Sequence, residues 1–196
     1  MQRHKVDGQP AFVLHTYPYR ETSLIVEVFS RDFGRVALLA RGARRPRSAL
    51  RGLLLAFQPL ELGWAGKGEV QTLMKAEWQG GQPLLTGKAL FCAYYLNELL
   101  MHLLPRDDAH ERLFSVYGET LRRFAGPLHE SDLRSFERAF LQELGYGLTL
   151  ESDAKGVPID ASGYYAYEIE HGPVKLQRPG NSALSVSGKT LIDLAR

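Results

Sequence analysis

Three observations predict an α+β chain with a five-stranded β-barrel first and a mainly helical region behind it. Five short apolar runs fill residues 11–80. Beyond residue 80 the apolar spacing changes to that of amphipathic helices. Between the third and fourth runs lies a segment dense in arginine and nearly free of apolar residues, Arg41–Arg51.

The strands follow in order. Ala11–Tyr17 is apolar and is stopped by Pro18. Thr22–Ser30 is rich in the β-branched and aromatic residues that strands favour. Gly34 punctuates the chain before Arg35–Ala40. Pro59–Trp64 and Glu69–Trp78 are joined by Ala65-Gly66-Lys67-Gly68, a glycine-rich link of the kind that closes hairpins. Five strands in so short a stretch predict a small closed barrel of the OB type, which commonly takes nucleic acid on one face. The intervening Arg41–Arg51, with Gly42 and Pro46, reads as a mobile loop.

Gly80, Gly81 and Pro83 mark a boundary, giving a barrel domain over 1–80 and a helical domain over 81–196. Thr86 is placed to cap a first long helix, which Pro105 breaks. A second helix is expected over Asp108–Phe124, ended by Gly126-Pro127. A third runs from Ser131, a suitable N-cap, to about Leu144, with Gly145 as its stop. Tyr164–Leu176 reads as a short hairpin around His171-Gly172-Pro173. Ser187 caps a final helix that reaches Arg196 without a terminating signal, so the chain is expected to be C-terminally incomplete.

Charge is distributed unevenly. Residues 1–80 carry 12 Lys/Arg and 7 Asp/Glu, whereas residues 81–196 carry 12 and 15. Seven arginines and one acid, Asp32, lie between Arg31 and Arg51. Such a concentration suits a polyanion partner. Multi-phosphate binding releases counterions and is strong at low salt. Arg35, Arg41, Arg44, Arg45, Arg47, Arg51 and Lys67 are the candidate DNA-contacting residues. One or two of the barrel aromatics Tyr17, Tyr19, Phe29, Phe33 and Phe57 are candidates to stack on unpaired bases.

Other chemistry finds little support. The single cysteine, Cys92, excludes an internal disulfide and a Cys-rich zinc site. The six histidines have no close helical spacing, and the acids form no recognisable acid–base pair. Gly188-Lys189-Thr190 resembles the end of a phosphate-binding loop, but Ala183 stands where that loop needs glycine. No catalytic residue, cofactor or metal site is therefore expected. No run of about 18 apolar residues suggests a membrane span, and the first nine residues are unlike a signal peptide. A cytoplasmic setting is expected.

Eight segments in order carry a resemblance: Ala11–His15, Glu21-Thr22-Ser23-Leu24, Gly34-Arg35-Val36, Gly42-Ala43-Arg44, Gly68–Leu73, Tyr95–Leu100, Phe136-Glu137 and Leu144–Gly147. Together they resemble the bacterial RecO family of recombination mediators. The resemblance implies an OB barrel followed by helices, binding of single- and double-stranded DNA, and annealing of complementary strands. It also implies help in loading RecA recombinase onto DNA coated by single-stranded DNA-binding protein. RecR and the acidic C-terminal tail of the coating protein are the implied partners, and the setting becomes nucleoid-associated. Some members carry four zinc-binding cysteines after the LGYG turn; Leu148–Gly163 has none, so the chain resembles the cysteine-free branch.

An acidic tail ending in an apolar residue needs a cation beside an apolar slot. The third helix offers Arg134 and Arg138 one turn apart, with Leu133, Phe136 and Phe140 beside them. In the family, the arginine at the Arg134 position is implicated in this contact. The other reading of the same barrel and basic loop is an RNA-binding protein associated with the ribosome or translation.

Overall fold

A computed structural model describes residues 4–168, 171–178 and 185–195. Ala183, and Arg196 where the last helix was expected to end, lie outside them. Two compact units result, Met1–Glu143 and Leu144–Arg196.

The first unit opens with five strands: β1 (His4–Tyr19), β2 (Ser23–Ser30), β3 (Gly34–Ala40), β4 (Pro59–Gly66) and β5 (Val70–Trp78). They close into a barrel in the order β1-β2-β3-β5-β4. The predicted barrel is present. β1 is longer than its apolar run because it pairs with β2 through its second half and with β4 through its first. Closure comes from a parallel pairing of β3 with β5, Ala37 opposite Val70 and Leu39 opposite Thr72. The interior is filled by Val13, Val26, Val28, Val36, Leu38, Leu60, Leu62 and Trp64, among others.

Three helices follow: α2 (Gly87–Leu103), α3 (Glu111–Phe124) and α4 (Glu130–Glu143). A short turn, α1 (Leu50–Leu53), lies between β3 and β4. α4 starts one residue before Ser131, so that serine is inside the helix and not its cap. Thr86 is the α2 cap by position and extended backbone, without a side-chain hydrogen bond.

The compact units divide at 143/144. Within the first, a second core outside the barrel joins its strands to α3 and α4. Phe12 and Phe29 project outward from β1 and β2. Their rings meet Phe114 of α3 at 5.3 and 5.4 Å. Tyr117 packs edge-on against Phe12 at 5.2 Å and meets Phe136 of α4 at 6.2 Å. Burial therefore continues from strand to helix, and Ala11–Leu14 and Val26–Ser30 are buried on both faces. Asn97 ties the layers with polar bonds. Its Nδ2 donates to the Leu14 carbonyl at 2.8 Å, and its Oδ1 accepts from the Tyr117 hydroxyl. Burial of that phenol pushes its pKa well up.

The second unit contains the expected hairpin, β6 (Tyr164–Glu168) and β7 (Gly172–Leu176). A third strand, β8 (Ser185–Ser187), pairs with β6 and was not anticipated. α5 (Gly188–Ala195) follows. Ser187 caps it as expected, its Oγ accepting from the Thr190 N–H at 3.1 Å.

Candidate nucleic-acid interface

The loop after β3 is held firmly at its base. Ala43 is buried, and the Arg44 N–H donates to the Thr22 carbonyl at 2.8 Å. Successive backbone bonds, Arg45 to Gly42, Ser48 to Arg45 and Arg51 to Ser48, fold it into turns that lead into α1. The expected mobile loop is thus a pinned one. Its backbone is ordered by local bonds while the side chains of Arg41, Arg44, Arg45, Arg47 and Arg51 are exposed. None of these five guanidinium groups has an ion-pair partner among the described residues. The Arg44 Nη1 makes one neutral bond, to the Arg20 carbonyl at 3.3 Å.

That bond brings in a residue with no mark in the sequence. Arg20 occupies the β1–β2 turn with φ 51°, and its guanidinium lies 5.3 Å from the Tyr19 ring centroid. Nothing in the turn sequence Pro18-Tyr19-Arg20 identifies it as a neighbour of Arg44. The juxtaposition arises from pairing of β2 with β3, Leu24 opposite Ala40.

Two predicted DNA-contacting residues stand elsewhere. Arg35 is half-buried, and its Nη1 donates to the Met101 carbonyl at 2.6 Å. The Asp107 N–H in turn donates to the Arg35 carbonyl at 3.1 Å. Arg35 therefore docks the α2–α3 connection onto the barrel and is not part of the exposed basic loop. Lys67 is exposed, but the parallel β3–β5 register sets its hairpin level with the start of β3. It lies about 20 Å along the strand from Arg41, so the two do not form one cluster.

The aromatics divide similarly. Phe29 and Phe57 are buried, and Phe33 packs against Trp64 at 5.4 Å. Tyr17, at 43% exposure, and the half-buried Tyr19 remain available. The outward β2–β3 face, where OB barrels commonly take nucleic acid, is largely covered by the helices. Glu27, Phe29 and Ala37 on that face are buried, and Glu27 pairs with Arg106 from the α2–α3 connection. The loops and the barrel end are left as its open basic surfaces.

On α4, Arg134 is exposed but engaged by acids on both sides, Glu130 at 3.1 Å and Glu137 at 2.6 Å. Glu137 and then Glu130 raise its pKa further. Arg138 is half-buried with interactions of its own, and Leu133 is half-buried. Phe136 and Phe140 correct the expectation. Both are buried, stacked 6.0 Å apart in the outer core, and do not line an open slot.

Two family profiles cover nearly the whole chain: Recombination protein O N terminal over residues 1–81 and Recombination protein O C terminal over 84–195. The chain belongs to the RecO family. A DNA repair protein RecO of Dechloromonas aromatica is 67% identical over 98% of this chain and 81% of its own length. Its counterpart in Aromatoleum aromaticum is 57% identical over 99% of the chain and 82% of its own length. The resemblance drawn from eight short segments is thereby established, as is the barrel-then-helices order. Membership makes the chain one of a DNA repair and recombination family. Among the described residues no helix is long and apolar enough to cross a membrane.

Proposed function

We propose that the protein is a non-catalytic recombination mediator. It binds single- and double-stranded DNA, anneals complementary strands and helps load RecA recombinase onto DNA coated by single-stranded DNA-binding protein. RecR and the acidic tail of the coating protein are its proposed partners, and the nucleoid its place of work. One observation carries the DNA-binding part: five exposed arginines in a pinned loop, none paired with an acid among the described residues. Family membership supports the rest.

The mechanism needs no covalent step. Two strands repel through their phosphates. A surface of unpaired arginines lowers that repulsion and holds both strands close, while base pairing supplies the driving force. Arginine suits this task because it stays charged and presents a fork of donors to phosphate oxygens. The tail contact rests on Arg134, Arg138 and Leu133. An incoming carboxylate would displace Glu130 or Glu137 from Arg134, a modest cost for exposed pairs.

The test is binding of the full chain to fluorescent single-stranded DNA over a salt series. The logarithm of the affinity is expected to fall linearly with log salt. Weak, salt-independent binding would overturn the DNA reading. RNA of the same sequence serves as the comparison, and a clear preference for it would favour the translation-associated alternative. For the tail, Arg134→Ala is expected to weaken binding of the acidic peptide several-fold by fluorescence anisotropy. Unchanged affinity would remove Arg134 from that contact.

A further inference from the structure

The protein has two tryptophans in opposite environments. Trp64 is in the barrel interior at 1% exposure, whereas Trp78 is 57% exposed. Trp78 ends β5 and is not a loose surface residue. Its indole Nε1 donates to Gln58 Oε1 at 3.1 Å, which fixes the orientation of the ring. Beside it is a cavity of about 310 Å³ lined by Leu53, Leu55 and Leu84 as well as the two glutamines Gln58 and Gln82. Leu55 is 46% exposed and Leu84 75%. A polar surface rarely leaves an oriented indole and two leucines open together without a partner.

The arginine loop leads directly into this slot. α1, whose Gly52 and Leu53 form one wall, also carries Arg51, exposed and without an ion-pair partner among the described residues. Arg47 is four residues earlier on the same turn-rich segment. The usual OB strand face is covered by the helices, so bases must be met elsewhere. An exposed flat ring in a slot whose wall directly continues an uncompensated arginine segment matches one ligand chemistry well. That ligand has anionic links and flat, apolar-faced units that are free to unstack.

Resting on the DNA-binding reading, we infer that Trp78 is a stacking platform for an unpaired base of single-stranded DNA. The base would enter the slot beside Leu55 and Leu84 while Arg47 and Arg51 hold the flanking phosphates. Stacking of this kind is tolerant of sequence, since every base presents a π face. It also distinguishes single strands from duplex, whose bases are already stacked and paired. Trp78 thereby adds a single-strand preference to a loop that by charge alone would bind any polyanion.

The indole itself reports the outcome. Titration of the full chain with oligothymidylate is expected to quench the exposed Trp78 and to leave the buried Trp64 emission unchanged. Trp78→Ala is expected to lower single-strand affinity about ten-fold with the same salt slope, because the arginines still neutralise the same phosphates. Duplex affinity should be unaltered. Trp78→Phe keeps a stacking ring and should retain most of the affinity. Blue-shifted Trp64 emission in either variant verifies that the barrel is folded. DNA binding by the wild type without quenching, together with full affinity in Trp78→Ala, would overturn the stacking role and leave the DNA reading intact. Absence of any DNA binding would overturn both. Quenching by an acidic peptide, and not by DNA, would overturn the stacking role and reassign the slot to a protein partner.

Discussion

The arginines of the loop at 41–51 and two arginines of the helices, Arg123 of α3 and Arg134 of α4, are in opposite states. In the loop, Arg41, Arg45, Arg47 and Arg51 present guanidinium groups with no carboxylate partner among the described residues. On the helices, Arg123 has Glu119 at 2.6 Å and Asp132 at 3.5 Å, and Arg134 has Glu130 and Glu137. Exposed pairs of this kind add little stability. What the pairing sets is availability. A phosphate that approaches the loop meets uncompensated charge, whereas one that approaches α4 must first displace an acid. Counting arginines along the chain would rank the two regions more nearly alike than they are.

Reversing charge in the loop should have the largest effect. Arg44→Glu with Arg45→Glu and Arg47→Glu is expected to lower single-strand affinity roughly a hundred-fold at low salt. The salt slope should shrink by about 0.7 for each phosphate no longer neutralised. Annealing rates should fall in parallel, and intact annealing would break the contrast. Next is Arg106, a paired arginine whose partner Glu27 is only 3% exposed. Arg106→Ala removes the charged partner of a buried carboxylate and is expected to cost about 2 kcal/mol in urea unfolding. DNA affinity should change less than about two-fold. A large DNA defect in a stably folded Arg106→Ala would show that paired arginines also serve the interface.

A smaller effect sharpens the comparison from the other side. Glu130→Gln with Glu137→Gln frees Arg134 and is expected to raise acidic-peptide affinity about two- to five-fold. No gain in anisotropy would mean that pairing does not limit the α4 site.

The smallest effect concerns a paired acid. The Asp160 carboxyl accepts from the Ser162 hydroxyl and N–H and from Lys175 Nζ, in that order of influence, and its pKa is lowered from 3.8 to about 2. The unfolded chain binds more protons in this interval, so the stability contributed is complete above 3.8 and is lost as pH falls through about 2. Asp160→Asn should flatten that acid limb in the near-ultraviolet signal of the buried Tyr165. An unchanged acid limb would assign it to other groups.

Much of the fold was legible because its signals are local. Strand-forming runs, the glycine hairpin at 65–68 and the Ser187 cap each depend on residues within a few positions. The candidate site was legible only in part. The arginine loop stands out by density, but Trp78 has no sequence feature to separate it from Trp64, and Arg20 joins the cluster only through strand pairing. Phe136 and Phe140 follow the i, i+4 spacing that any amphipathic helix shows, and the spacing does not say whether core or ligand meets that face.

The five strands, the helices behind them and the density of arginine at 41–51 could be read from short segments, since propensity, turn chemistry and charge are local properties. Which surfaces stay open, and which arginines find an acid, depends on how whole elements pack. Gly34 shows the difference. Read alone it is turn punctuation, but a Cβ there would lie 1.8 Å from the Asp108 carbonyl oxygen, so the α2–α3 connection requires glycine. The same docking holds Arg35 through a residue 66 positions away and covers Glu27 with one 79 positions away. Pairings at that separation have no local signature, because they are set by where whole elements pack.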